Sequence, residues 1–263
     1  GIAVNDDGVI VYHKDMGLVN EIFNDVVIKH LKGQVAIGHV RYSTTGASLR
    51  ENAQPMVIKY RNGQIALAHN GNLVNAAEIR ERLEETGTIF QSTIDSEVIL
   101  NLIARYRISS ETFEDALIKV IQEIKGAYAI VILTPKRLIG VRDPFGIRPL
   151  CIGKLDNSYI LASESCALDA VGAKYVRDVN PGEIVIIDET GLRSIQTKVP
   201  EDTRLCIFEF IYFARPDSIM DGASVHRARL EAGKRLAIEH PVEADLVIGV
   251  PDSGLTAALG YSI

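Results

Sequence analysis

The sequence predicts an α+β layered domain followed by the opening of an α/β domain, and three observations predict it. Strand-rich patterns fill residues 1–198 except in the middle, where helical periods are grouped; that order favours helices laid on largely antiparallel sheets. An Asn62-Gly63 pair sits between two apolar runs and marks a hairpin. Past the polar, proline-marked stretch Lys198-Val199-Pro200-Glu201-Asp202, which reads as a linker, the pattern changes to strand, helix, strand, small-residue loop and helix.

The elements follow in order. Segments 56–60 and 64–69 form the hairpin arms, with Arg61-Asn62-Gly63 between them and positive φ accepted at Asn62 and Gly63. The next helix takes Asn75 as N-cap with Glu78 three residues on, in capping-box spacing. Its Ile79 and Leu83 share a face, and Gly87 stops it. Segments 96–107 and 111–125 repeat the helical period through Ile99/Ile103 and Leu117/Ile121. Strands resume at 128–134, 138–141, 159–162 and 183–187. After the linker come an apolar strand at 205–213, a helix at 223–239, a strand at 245–250 and a helix starting near Leu255. The expected domains are 1–200 and 201–263. The second is incomplete, because a lone βαβ unit cannot bury both faces of its sheet.

Composition narrows the function class. A net charge of −6 leaves no basic footprint for nucleic acid or anionic lipid. The longest clean apolar run, 127–133, is too short to span a bilayer. Cys151, Cys166 and Cys206 are odd in number and widely spaced, which argues for a reducing, cytoplasmic setting over a disulfide framework.

Two segments carry candidate chemistry. In Gly38-His39-Val40-Arg41-Tyr42-Ser43-Thr44-Thr45-Gly46, Arg41 could grip a carboxylate in bidentate fashion, although alone it reads as a surface Arg at a strand end. In Ala68-His69-Asn70-Gly71-Asn72-Leu73, the Asn70 amide and the Gly71 N–H could face a developing oxyanion. Alone, they read as an ordinary turn after a strand, and His69 reads as structural. Asp95 reads as a helix-start carboxylate or as the counter-ion of an ammonium group. The loop Pro251-Asp252-Ser253-Gly254 could cradle an anion on its backbone N–H groups, or be any βα turn. No cysteine lies near the first two segments, so the set lacks a nucleophile.

Taken together, these segments, Asn52-Ala53-Gln54-Pro55, Asp95-Ser96-Glu97 and Arg142-Asp143-Pro144-Phe145-Gly146-Ile147-Arg148-Pro149-Leu150 resemble the N-terminal-nucleophile, or class II, glutamine amidotransferase family. The resemblance implies a four-layer α/β/β/α sandwich. The stretch Phe208-Glu209-Phe210-Ile211-Tyr212-Phe213-Ala214-Arg215-Pro216-Asp217-Ser218 is similar to one branch of that family, in which a type I phosphoribosyltransferase domain follows. That branch moves the glutamine amide nitrogen to 5-phosphoribosyl 1-pyrophosphate, giving 5-phosphoribosylamine, pyrophosphate and glutamate, the first step of de novo purine synthesis.

On matching positions the resemblance implies that Arg41 binds the glutamine α-carboxylate, with Tyr42 and Thr44 in a closing loop. Asn70 and Gly71 would form the oxyanion hole and Asp95 would hold the α-amino group. Asp252, Ser253 and Gly254 would take the pyrophosphate side. The resemblance also implies Mg²⁺ with ligands past Ile263, a [4Fe–4S] cluster in some members with Cys206 at one ligand position, a homotetramer, and inhibition by purine nucleotides. The family's N-terminal Cys nucleophile and the acidic phosphoribosyl-pyrophosphate motif have no counterpart here. The chain therefore reads as truncated at both ends, and as inactive by itself in glutamine hydrolysis. The alternatives are another class II member such as glucosamine-6-phosphate synthase, or a glutamine-binding relic.

Overall fold

The computed structural model describes residues 1–41, 49–197 and 202–263. They pack as two compact units: Gly1–Phe145 with Pro181–Glu201, and Gly146–Asn180 with Asp202–Ile263. No described helix is long and apolar enough to cross a membrane.

The first unit begins with strands β1 (Ile2–Asp6) and β2 (Val9–His13), short helices α1 (Val19–Ile22) and α2 (Asp25–His30), and strand β3 (Val35–Gly38). These strands make a small antiparallel sheet in the order β2-β1-β3. Next come β4 (Met56–Tyr60), β5 (Gly63–Leu73), helices α3 (Ala76–Glu85), α4 (Asp95–Tyr106) and α5 (Phe113–Glu123), then β6 (Gly126–Leu133) and β7 (Leu138–Arg142). Three strands of the second unit intervene: β8 (Cys151–Leu155), β9 (Ser158–Ala162) and β10 (Lys174–Asp178). Strands β11 (Glu183–Asp188) and β12 (Gly191–Gln196) complete a six-stranded antiparallel sheet ordered β12-β11-β7-β6-β5-β4.

Period-two alternation gives this sheet two different faces. Ile65 and Leu67 of β5, Ile130 and Ile132 of β6, Ile139 of β7 and Ile184 and Ile186 of β11 join Leu83, Ile99, Ile103, Leu117 and Val120 of the helices in one core. Each such large side chain contributes about 1.5–3 kcal/mol by leaving water. The alternate positions Ala66, Ala68 and Ala129 are small and buried, and the small sheet packs on that side against β5 and β6. Helix, sheet and sheet are thus layered as the sequence order predicts.

Local details differ from expectation at two places. The hairpin pairs Tyr60 with Gly63, so its turn is Arg61-Asn62, and only Gly63 takes positive φ (128°). Asn75 precedes α3, but its side chain makes no cap. Instead its amide donates to the Glu123 carbonyl (3.0 Å) and accepts from the Lys125 N–H (2.9 Å), because the exposed end of α5 offers unpaired backbone groups. The capping box that forms is at α5, between Thr112 and Asp115.

In the second unit the sheet order is β10-β8-β9, with Leu168 of helix α6 (Ser165–Ala170) packed on Cys151. The expected strand at 205–213 is a π-helical turn, Glu209–Phe213. That winding buries Glu209, which accepts from the Arg148 guanidinium at 2.6 Å. It also leaves the Phe210 and Ala214 carbonyls for buried Arg229, which donates to them at 2.6 and 2.8 Å. A charged residue that must be inside, and no neighbouring strand to pair with, outweigh the apolar run. A two-residue hairpin, β13 (Ile219–Met220) and β14 (Ala223–Ser224), leads into α7 (Val225–Glu239), close to the expected helix. Helix α8 (Ser253–Ser262) meets α7 backbone to backbone: a Cβ on Gly233 would lie 2.0 Å from the Ala257 carbonyl oxygen. The expected strand at 245–250 does not form. Among the described residues its backbone has no partner strand, and Leu246, Ile248 and Val250 are exposed.

Candidate functional site

Asn70 and Gly71 lie on the last third of β5, opposite Ala129 and Tyr128 of β6, and not in a turn. Alternation sends His69 toward the helices and Asn70 toward the face that holds Ala66 and Ala68. The Asn70 side chain makes no hydrogen bond among the described residues, so its amide is available to a ligand. Gly71 has φ +152°, and a Cβ there would sit 2.0 Å from the Ala127 carbonyl oxygen and 2.8 Å from His69 Nε2. Only glycine fits.

His69 is fully enclosed. Its Nδ1 lies 3.6 Å from Asp95 Oδ1 and 3.4 Å from Ser96 Oγ, and its Nε2 has no hydrogen-bond partner among the described residues. Asp95 opens α4, and its Oδ2 accepts the Leu73 N–H at 2.8 Å. One carboxylate therefore joins the end of β5 to the start of α4. Burial pushes the Asp95 carboxyl up, but His69 and the N–H groups of Leu73 and Ser96 outweigh it and hold the pKa below its usual value. Asp95 is anionic at neutral pH, as a counter-ion must be. A cleft of about 520 Å³ opens beside it, walled by Asn72, Arg80, Thr93 and Val98, and does not extend to Asn70 or Gly71.

Arg41 follows β3 and comes near this group through His39. The Gly1 carbonyl accepts the His39 N–H at 3.0 Å, and the Gly1 amine donates to the His39 carbonyl at 2.9 Å, which extends the small sheet to His39. Burial above all, with the positive charges of the Gly1 amine and Arg41 behind it, pushes the His39 imidazole down to about 4, so it is neutral at pH 7. Tyr42 and Thr44 lie outside the described residues.

Two positioning residues had no periodic signal in the sequence beyond a pair of amides before a proline. The Gln54 side chain accepts the His69 N–H at 2.7 Å and donates to the His69 carbonyl at 3.3 Å, acting as one more rung of the sheet. Asn52 clamps Thr93 in the same two-way manner, at 3.0 and 3.1 Å, just before Asp95. Both amides are buried.

In the second unit, Asp252 and Ser253 stand at the start of α8, and the Gly254 N–H is spent on the Val250 carbonyl at 3.0 Å. Ser253 and Gly254 are half-buried and Asp252 is exposed. Cys206 donates its N–H to the Ile147 carbonyl and is half-buried. Cys151 and Cys166 are buried, and burial pushes the Cys151 thiol up to about 12, far from the thiolate that a cluster needs. Among the described residues no three His, Cys, Asp or Glu side chains group as a metal site.

The family model "Glutamine amidotransferase domain" matches residues 39–170. An amidophosphoribosyltransferase of Archaeoglobus fulgidus is 50% identical over 262 residues, which cover 100% of this chain and 57% of that protein. The glutamine phosphoribosylpyrophosphate amidotransferase of B. subtilis, solved with ADP and GMP, matches with TM-score 0.92 and 45% identity, covering 99% of this chain and 56% of that one. A structure described as the allosteric regulatory enzyme of purine biosynthesis matches at TM-score 0.94 and 46% identity, with the same two coverages. The sheet-rich α+β unit thus has the N-terminal-nucleophile hydrolase fold of these structures. The chain spans about half the length of the curated relatives it matches.

Proposed function

The chain belongs to the glutamine amidotransferase domain family, and on that premise we propose that the whole protein moves the amide nitrogen of glutamine to 5-phosphoribosyl 1-pyrophosphate. The observation that carries the reading is the joint placement of a free Asn70 amide, a glycine-only Gly71 and an anionic Asp95 at one strand end. In this reading Asp95 takes the ammonium of glutamine, Arg41 its carboxylate, and Asn70 with Gly71 faces its side-chain amide oxygen.

A cysteine thiolate attacks the amide carbon, and the oxygen takes up the negative charge between Asn70 and the Gly71 N–H. Such a donor contributes about 3 kcal/mol in the transition state. As the C–N bond breaks, the nitrogen takes the proton that the cysteine thiol gave to its own α-amine and leaves as ammonia; water then cleaves the thioester, giving glutamate and returning the thiol. Ammonia's lone pair attacks C1 of the phosphoribosyl group and pyrophosphate departs with the bonding pair. All three cysteines of this chain belong to the second unit, and none lies in the unit that carries Asn70 and Gly71. Asp252, Ser253 and Gly254 are proposed for the pyrophosphate side, in a phosphoribosyltransferase domain that 201–263 would open. Mg²⁺ with ligands past Ile263, a cluster at Cys206, a homotetramer, purine-nucleotide inhibition and a cytosolic location belong to the same proposal. The names of the relatives favour this reading over a sugar-phosphate synthase or a relic.

The test uses the whole protein. Arg41→Ala is expected to abolish glutamine-dependent formation of phosphoribosylamine and to spare the ammonia-dependent reaction. Equal loss of both would refute the role of Arg41. Glutamine hydrolysis above background by the 263-residue chain would refute the assignment of the nucleophile.

A further inference from the structure

The first unit carries another open cleft, of about 670 Å³, lined by none of the residues assigned above. Three arginines converge on it: Arg61 from the β4–β5 turn, and Arg105 and Arg107 from the end of α4. No Asp or Glu lines it. Arg61 makes no hydrogen bond or ion pair among the described residues. Arg105 donates to Thr86 Oγ1 at 2.6 Å, and Arg107 donates to the Ser110 carbonyl; neither has a carboxylate partner.

The plain explanation is a solvated basic surface at a helix end. The C-terminus of α4 supplies only about half a negative charge, enough to offset a fraction of one arginine. Asp115 acts on Arg107 at longer range, but its Oδ2 already accepts both the N–H and the O–H of Thr112. Elsewhere in the unit arginines find acids: Arg80 meets Glu84, Arg82 meets Glu123, and Arg137 meets Glu114. In a chain of net charge −6, three guanidinium groups that line one cleft without an acid repel one another, and an anion between them would relieve that repulsion.

We infer that this cleft binds a phosphorylated small molecule by its phosphate groups. Guanidinium forks match phosphate oxygens in pairs, and the Ser110 hydroxyl, which accepts from Lys119 Nζ at 3.0 Å, keeps its own proton to donate. The volume lies within the roughly 300–1,000 Å³ of small-molecule sites, larger than a bare phosphate needs. The Tyr60 ring offers an apolar surface for the organic part. A long polyanion is disfavoured, because beyond the cleft it would meet an acidic protein. The inference stands apart from the reading of the glutamine site.

Calorimetric titration of the 263-residue chain with fructose 1,6-bisphosphate at low salt tests it, with inorganic phosphate, fructose and hexaglutamate as comparisons. One site is expected, tighter for the bisphosphate than for phosphate and silent to fructose. Arg61→Gln and Arg105→Gln should each weaken it about tenfold, the scale of a charge-assisted contact. Arg82→Gln, outside the cleft, should leave it unchanged. Arg61 holds no partner, so its replacement leaves the fold intact, which an unchanged thermal melt would show. No binding at millimolar bisphosphate would overturn the inference. So would binding that both cleft variants leave unchanged, or hexaglutamate binding as tightly as the bisphosphate.

Discussion

Gly71→Ala isolates the geometry on which the oxyanion assignment rests. The added Cβ would lie 2.0 Å from the Ala127 carbonyl oxygen and 2.8 Å from His69 Nε2, where real Cβ contacts essentially never fall below 3.0 Å. The first gap must therefore widen by about 1 Å, and both atoms belong to the β5–β6 ladder or to the enclosed His69, so the strand itself must shift. Overpacking and an alanine at positive φ together cost roughly 2–4 kcal/mol. For a unit of this size that lowers Tm by about 5–15 °C. A 1 Å displacement of an oxyanion donor costs about 10²-fold in rate, and losing the donor outright about 10²–10³-fold. The assay is made on the whole protein: glutamine hydrolysis, ammonia-dependent phosphoribosylamine formation, and a thermal melt. Glutamine hydrolysis should fall at least a hundredfold while the ammonia reaction persists. Hydrolysis near the parent's rate, with Tm unchanged, would show that β5 tolerates a side chain there and that the reasoning is wrong.

Gln54→Met keeps the volume of the clamp but leaves the buried His69 N–H unpaired. The expected loss is about 1–3 kcal/mol, read by urea unfolding; an unchanged midpoint would refute the clamp. His39 gives a pH dependence of definite sign. Its folded pKa, about 4, lies below the ordinary histidine value, so its contribution to stability is complete above roughly pH 6.5 and is lost as pH falls toward 4. Tm should drop between pH 7 and pH 5, and drop less in His39→Gln; parallel slopes in parent and variant would count against it. Leu83→Ala empties a fully buried position of the helix–sheet core and should cost about 2–5 kcal/mol by chemical denaturation.

Where period and turn chemistry agreed, the sequence was easy to read. The hairpin of β4 and β5, the buried faces of α3 to α5, and strands β6, β7 and β11 follow directly from apolar spacing. Strands β1 and β2 carried a usable mark that spacing alone did not expose: Asp7-Gly8, with φ of 46° and 90°, is the Asp-Gly hairpin turn between them. The run at 205–213 was ambiguous because a short, continuous apolar stretch fits strand or helix. What decides it is Glu209 reaching Arg148, more than fifty residues away in sequence. At the site, Asn70, Gly71 and Asp95 could be named from residue type, but their strand placement could not, since Asn-Gly usually turns. Gln54 and Asn52 were invisible as positioning groups because their partners, His69 and Thr93, are distant in sequence and most of the bonds are to backbone.

The segment at 245–250, which has the composition of a strand and none of its partners, bears on how the chain behaves in solution. Leu246-Val247-Ile248-Gly249-Val250 is uncharged, rich in β-branched residues and exposed at Leu246, Ile248 and Val250. An exposed run of that composition is a template for β-pairing with the same segment of another molecule. Association through it grows with concentration and requires no unfolding of either compact unit. For this chain alone, colloidal stability and thermal stability are therefore set by different residues: the first by five residues outside any sheet, the second by the core between β5, β6 and α4.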